Sequence, residues 1–215
     1  MKVARVVAPV RAQVVEALRA EIVSGVLTPG QRLVERELCE RLDVARNTVR
    51  EACRQLEAEG FLEIPPHKGP VVAVLTQTQA RDVYELREAL ECFAVRLFAE
   101  RASDEQVATL KERLGELAAA HRSEDTSAML QAKEEFYEVL YAGAGNAALE
   151  SQAGLLQGRL ARLRSLSLSR PGRAAQSIAE IEEVVRAIET RDASLASDLW
   201  CAHVRNAAAS ALESP

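Results

Sequence analysis

The 215-residue chain is long enough to bury one large core or two modest ones. Only 4% of its residues are aromatic, its formal charge is −5, and its many Ala, Leu, Glu and Arg residues favour helices. No apolar run reaches the roughly 18 residues that span a bilayer, and the first residues lack the apolar core of a signal peptide, so we expect a cytoplasmic protein.

The charge is distributed unevenly along the chain. Residues 1–75 carry a balance of +1, whereas residues 76–215 carry a balance of −6. A nearly neutral head on an acidic body suits a nucleic-acid-binding protein only if the basic side chains of the head lie together on one face.

The first 60 residues predict three helices. Apolar residues spaced four apart predict an amphipathic helix over residues 10–24, which Gly25 ends. Two shorter helices are predicted over residues 35–42 and 46–59, joined by residues 43–45. A turn of three residues between two helices is typical of a helix-turn-helix motif.

A short hairpin and a long helical region follow. Apolar, β-branched runs predict strands over residues 61–64 and 71–75, and their hairpin would complete a winged helix-turn-helix domain over residues 1–76. Residues 76–80 predict a hinge. About six helices are predicted over residues 80–215, so the expected fold is mainly α, with an all-helical bundle as the second domain.

The third predicted helix carries a row of basic side chains. Arg46, Arg50 and Arg54 lie four residues apart and therefore share one face, while Val49 and Leu56 line another. Guanidinium groups bind phosphate oxygens and read guanine edges bidentately, and a second helix packed behind would hold this one in a major groove. The pattern therefore indicates a DNA-reading helix.

The start of this helix is expected to favour a phosphate. Asn47 and Thr48 can cap it, and the free N–H groups and the dipole at a helix start attract anions. In the alternative interpretation, the arginines only solvate a charged helix and pair with Glu51 and Glu57.

The order of these elements and their residues resembles the GntR family of bacterial transcription regulators, in the FadR-like branch with an all-helical FCD ligand-sensing domain. The resemblance lies in residues 22–33, 35–38 and 44–52, in the wing that ends at Gly69, in residues 84–91 and 187–192, and in His203. It implies a homodimeric repressor or activator that binds a palindromic operator in double-stranded DNA and responds to a small-molecule effector.

The resemblance also implies which residues contact DNA. They are one residue of the second helix, three of the third and one of the wing: Arg36, Arg46, Thr48, Arg50 and Gly69. The family often has serine and proline where this chain has Ala45 and Thr48. At the wing tip, Lys68 is expected to contact phosphate, and His67 is either a second phosphate contact or an ordinary turn residue.

FCD domains commonly hold a divalent metal through one aspartate and three histidines, and the metal binds a carboxylate effector. The resemblance aligns these four positions with Lys133, Tyr137, Ile181 and His203, so one imidazole remains. Such an ion needs about three or four protein ligands. We therefore expect no cofactor and no metal in the bundle.

Lys133 places a fixed ammonium where the resemblance would place the charge of the metal. We expect an organic acid to bind Lys133 directly, with Tyr137 and His203 donating hydrogen bonds and Arg87 as a more distant candidate. In the alternative interpretation the pocket has closed: Ile181 extends the core, and Lys133 reaches solvent or pairs with a neighbouring glutamate.

Two functional hypotheses result. The first is a DNA-binding regulator whose operator affinity is modulated by an anionic effector, and the second is a constitutive DNA-binding dimer whose helical domain is only a dimerisation scaffold. An enzyme is not expected, because no histidine follows a glutamate by three residues, as bundle di-iron sites require, and no nucleophile or phosphate-loop motif occurs.

The four cysteines, Cys39, Cys53, Cys92 and Cys201, are isolated from one another and lack zinc-finger spacing. We expect each to be a small buried hydrophobe in a helix. A redox-sensing thiol is the less favoured alternative, because no local feature suggests a lowered thiol pKa.

Overall fold

The computed structural model describes residues 10–66, 68–122, 126–168 and 170–212. The chain divides into two compact units. The first comprises the residues up to Val74 together with Gln157–Arg159, and the second comprises Leu75–Leu156 and the residues from Leu160 onwards. Among the described residues, no helix combines the length and the apolar character that crossing a membrane requires.

The first unit is a three-helix winged domain. Its elements are α1 (Val10–Val23), α2 (Glu35–Leu42), α3 (Arg46–Ala58), β1 (Leu62–Glu63) and β2 (Val71–Val72). The apolar faces of α1 and α2 pack on α3, around Leu18, Val49 and Leu56. Asp43 adopts a left-handed conformation, and this allows the tight turn between α2 and α3. The predicted helix-turn-helix is confirmed.

The wing is shorter than the sequence predicted. Its two antiparallel strands have two residues each, with Leu62 opposite Val72 and Glu63 opposite Val71. The N–H of Ile64 donates to the Glu57 carboxylate instead of extending the ladder, and Pro65, which follows, has no N–H to donate.

The described residues of the second unit form seven helices, where about six were predicted. They are α4 (Gln77–Arg101), α5 (Asp104–Arg122), α6 (Thr126–Ala144), α7 (Ala147–Leu155), α8 (Gln157–Leu168), α9 (Arg173–Glu189) and α10 (Ala193–Leu212). The first three residues of α8 fall in the first unit. The break at Leu156, between α7 and α8, was missed although Gly154 and Gly158 lie two residues to either side of it.

The predicted hinge over residues 76–80 is wrong. Thr76 accepts a hydrogen bond from the backbone N–H of Gln79, and the Gln79 side chain accepts one from the backbone of Thr76. This capping box starts α4 at Gln77, so most of the supposed hinge is the first helical turn.

The core of the second unit is built mainly by α4, α5, α6, α9 and α10. α4 packs on α6 and α10, α5 packs on α6 and α9, and α9 packs on α10. Trp200 of α10 lies parallel to Phe136 of α6, with ring centroids 6.1 Å apart, and meets Tyr137 edge-on. Gly143 of α6 lies against Phe98 of α4, where any larger residue would overlap the ring. These close contacts hold α4, α6 and α10 around one interior.

Two of the cysteines are not isolated hydrophobes. Cys92 of α4 and Cys201 of α10 form a disulfide, with their Cα atoms 5.6 Å apart. The prediction failed here because the packing of α4 against α10 joins residues 109 apart in sequence. Cys53 is buried as predicted, and burial raises the pKa of its thiol to about 11, whereas Cys39 is half-buried.

Candidate functional site

One carboxylate holds two arginines of α3 side by side at the surface. Arg46, the first residue of α3, and Arg50, one turn later, have side chains that are 67% and 52% exposed. Arg46 Nε lies 3.0 Å and Arg50 Nε 2.9 Å from the same oxygen of Glu35, the first residue of α2. The helix-turn-helix therefore presents a pair of adjacent guanidinium groups.

Glu35 is ionised at neutral pH. Burial alone would raise the pKa of its carboxyl, but the hydrogen bonds from Arg50 and Arg46 outweigh it and lower the pKa below its ordinary value. The alternative in which these arginines pair with Glu51 and Glu57 is wrong. Their carboxylate comes from the neighbouring helix, where it orients both guanidinium groups at once.

The predicted caps of α3 are also wrong. Ala45 occupies the N-cap position, so no side chain accepts a hydrogen bond there. Asn47 donates to the Glu51 carboxylate at 3.0 Å instead, and Thr48 is half-buried in the first turn. An N-cap residue must precede the first turn, and both candidates lie inside it.

The other predicted DNA contacts lie in the same unit. Arg36, which follows Glu35 at the start of α2, is exposed and lies 3.8 Å from Glu40. In the wing turn, Lys68 is exposed, and Gly69 has φ 74°, a left-handed conformation that glycine adopts without strain. His67 lies outside the described residues.

A buried carboxylate organises the interior of the second unit. Glu91 of α4 accepts from Arg87 Nε at 2.9 Å and Arg164 Nη2 at 3.4 Å through one oxygen, and from Trp200 Nε1 at 2.9 Å and the Tyr137 hydroxyl at 3.1 Å through the other. Burial opposes ionisation, but the charges of Arg87 and Arg164 lower the pKa of Glu91 below its ordinary value. We call this set the Glu91 group.

A second set, the Glu180 group, joins α9 to α10. Glu180 accepts from Arg173 Nη2 at 2.9 Å and Asn206 Nδ2 at 2.7 Å, and lies 2.6 Å from His203 Nδ1. Burial lowers the pKa of His203 to about 3, so its ring is neutral. A carboxylate can only accept, so Nδ1 carries the hydrogen, and Nε2 is a buried acceptor with no partner in the described part of the chain.

Lys133 of α6 is buried and donates to Ser177 Oγ of α9 at 3.1 Å. Burial lowers the pKa of its ammonium well below the ordinary value, and the charges of Arg87 and Arg164 add to that effect. The alternative in which Lys133 reaches solvent or pairs with a glutamate is wrong, although Ile181 does extend the core as that alternative expected.

The structure corrects three of the predicted effector roles. Arg87 is not distant, because it is buried and donates to the Tyr137 hydroxyl at 2.6 Å. Tyr137 uses its own hydrogen on Glu91. His203 uses its hydrogen on Glu180, and so it can offer a ligand only an acceptor. Lys133 is the predicted residue whose position suits an anion.

The sequence analysis missed all four of the other charged members of these groups, Glu91, Arg164, Arg173 and Glu180, and also Trp200 and Asn206. Arg87 and Glu91 are four apart on α4, a spacing that could have indicated their ion pair. Nothing in the sequence indicated that Arg164 and Arg173 would be buried, because charged residues in helical patterns normally face solvent.

The four positions that the resemblance aligns with metal ligands carry other side chains here. They present an ammonium on Lys133, a phenol on Tyr137, an alkyl chain on Ile181 and one imidazole nitrogen on His203. Across the described ranges, no group of three or more His, Cys, Asp and Glu residues is placed to hold a metal ion.

The two units define a winged-helix protein with an all-helical second domain. Residues 10–72 match the model of the GntR family of bacterial regulatory proteins, and residues 82–206 match the model of the FCD domain. The chain therefore belongs to the GntR family and carries an FCD domain.

Two relatives are named as a transcriptional regulator and a transcriptional repressor. The Nta operon transcriptional regulator of Aminobacter aminovorans is 40% identical over 115 residues, which is 51% of each chain. The HTH-type transcriptional repressor RspR of Escherichia coli K12 is 30% identical over 132 residues, 61% of this chain and 58% of the relative. The alignments thus span about half to three fifths of the relatives' length.

Two solved structures share the fold nearly end to end. Escherichia coli McbR has a TM-score of 0.79 at 22% identity, covering 93% of this chain and 95% of that chain. A GntR regulator of Rhodococcus sp. RHA1 has a TM-score of 0.80 at 24% identity, covering 94% and 97%.

The role of Glu91 can be tested by comparing its buried ion pair with an exposed ion pair of the same spacing on α4. Glu91→Gln removes the charge that neutralises buried arginines and should lower the free energy of unfolding by about 3–5 kcal/mol. Glu100→Gln breaks the Arg96–Glu100 pair, which has the same spacing on the exposed face of α4, and should cost less than about 1 kcal/mol. Urea unfolding followed by circular dichroism measures both, and equal losses would refute the buried network.

Proposed function

We propose that this GntR-family protein binds operator DNA through α3 and the wing, and that a small organic anion held in the FCD domain modulates this binding. The observation that carries the DNA-binding part is the exposed Arg46 and Arg50 pair at the start of α3, oriented by Glu35. The relatives that are named as transcriptional regulators support it.

The arrangement suits readout of a major groove. Arg46 and Arg50 lie in the first turns of α3, the part of a recognition helix that meets base edges. Arg36 on α2 and Lys68 in the wing turn are exposed cations of the same unit. Both would bind phosphate groups of the DNA backbone. Two copies of the chain would present two such helices to the half-sites of a palindrome.

The DNA-binding surface has a direct test. The variant Arg46→Ala/Arg50→Ala should bind the duplex that wild type selects from a randomised pool at least about 100-fold more weakly, because each good bidentate contact contributes about 1–3 kcal/mol. Arg96→Ala/Arg186→Ala removes the same charge from exposed positions in the second unit and should bind normally. Fluorescence anisotropy measures both, and wild-type affinity in the first variant would refute this surface.

The observation that carries the effector part is the buried amino group of Lys133, which donates its hydrogen bond to the neutral hydroxyl of Ser177. A buried cation without a carboxylate partner is unfavourable, and a bound anion would supply the missing charge. The positive charge that a metal supplies in other FCD domains would here come from the protein itself. We therefore propose direct binding of the acid, with no metal.

The effector would act by shifting a conformational equilibrium. To do so it must bind one arrangement of the regulator more tightly than another. α4 carries Arg87 and Glu91 and is the element that follows the winged unit in the chain. A change in the Glu91 group would therefore act on the helix through which the two units are connected.

Anion binding by Lys133 can be measured by thermal shift. Small organic acids that raise the melting temperature of wild type should not raise that of Lys133→Met, which keeps the volume but not the charge. Lys111→Met, at an exposed ion pair with Glu189, should respond like wild type. Equal shifts in all three proteins would exclude Lys133, and one tightly held metal per subunit, found by elemental analysis without chelators, would exclude direct binding.

A further inference from the structure

Among the described residues, three guanidinium nitrogens in the interior of the FCD domain have no hydrogen-bond partner. They are Arg164 Nε, Arg173 Nε and Arg173 Nη1. Both side chains are buried, and guanidinium does not lose its proton in proteins, so each N–H remains a donor. Buried donors without partners are rare in folded proteins, and three in one domain indicate a place for an acceptor-rich ligand.

The same interior contains more positive than negative charge. Arg87, Arg164 and Arg173 are buried guanidinium groups, and Lys133 adds a fourth cation, which an adjacent anion would keep protonated. The carboxylates that face them are Glu91, bonded to two of the arginines, and Glu180, bonded to the third. One positive charge is left over among the arginines, and a second is left over whenever Lys133 is protonated, so a bound anion with two negative charges would balance both.

The unpartnered donors belong to two different groups. Arg164 belongs to the Glu91 group, where its guanidinium carbon lies 3.9 Å from the centre of the Tyr137 ring. Arg173 belongs to the Glu180 group on α9. The interior thus offers unpartnered guanidinium donors at two separate positions.

Lys133 connects these two positions. It lies one turn before Tyr137 on α6, and its ammonium donates to Ser177, one turn after Arg173 on α9. Its side chain is therefore adjacent to both groups. A ligand that contacts Lys133 can extend towards Arg164 and towards Arg173 at the same time.

We infer that the effector is a dianion of the small dicarboxylate class, with one acid group bound by Arg164 and the other by Arg173, and with Lys133 contacting it between them. This inference rests on the proposed function, because the dianion is the same effector. It goes further by setting the charge of the ligand and by assigning specificity to two arginines on α8 and α9.

Isothermal titration calorimetry on the full chain compares two series of acids. Malonate, succinate, glutarate and adipate are titrated beside propionate, butyrate, valerate and hexanoate, which match them in carbon number and carry one acid group. At least one dicarboxylate should bind about tenfold or more tightly than its matched monocarboxylate, since only the dianion engages both guanidinium groups.

Arg173→Gln should remove this preference, so that the preferred dicarboxylate binds within about twofold of its monocarboxylate partner. Arg186→Gln, at an exposed position of the same helix, should keep the full preference. Arg173→Lys keeps the charge without the Nε donor and should retain only part of the preference, and this variant serves if the glutamine variant does not fold.

The outcomes separate the inference from the proposed function. Matched acids of the two series that bind wild type equally would overturn the dianion assignment and leave a monoanionic effector. A preference unchanged in the Arg173 variants would overturn the role of Arg173. Failure of every acid to bind wild type, while binding of DNA still depends on Arg46 and Arg50, would overturn the inference together with the effector part of the proposed function.

Discussion

Glu91 accepts hydrogen bonds from four side chains on α4, α6, α8 and α10, and the interior of the FCD domain depends on this one carboxylate. Without its charge, Arg87 and Arg164 could not lie among Phe136, Trp200 and the other aromatic rings of the core. Four helices that are not consecutive along the chain are thereby held around a charged centre. The disulfide between Cys92 and Cys201, the residues that directly follow Glu91 and Trp200, joins two of the same helices covalently.

A bound metal ion and a set of buried cationic side chains are two ways to place positive charge beside an anionic ligand. A metal needs several anionic or neutral ligands that donate electron pairs. Three of the corresponding positions here hold the amino group of Lys133, the Tyr137 phenol, which donates its hydrogen to Glu91, and the alkyl chain of Ile181. Arginines keep their charge at any physiological pH and present their donors in a rigid plane, so they can orient a carboxylate without an ion between. In the proposed mode of binding, the effector site would respond to the acid without depending on metal supply.

The sequence allowed the backbone and the surface to be predicted better than the interior. The period of apolar residues predicted the helix-turn-helix, and the four-residue spacing of Arg46 and Arg50 predicted their shared face. Their link to Glu35, 11 and 15 residues away, depends on how α2 packs on α3. The capping box of Thr76 and Gln79 was readable from the sequence. The burial of Arg164 and Arg173 was not, because only the folded bundle places their partners.

In the proposed mechanism, the charged interior of the FCD domain is coupled to the surface of α3 that binds DNA. The most direct measurement is the affinity for the selected duplex, by fluorescence anisotropy, with and without a saturating acid that raises the melting temperature of wild type. The account predicts that wild-type affinity changes by at least about fivefold, the lower end of typical allosteric coupling, whereas that of Lys133→Met does not change. Identical affinities of wild type with and without the bound acid would contradict it.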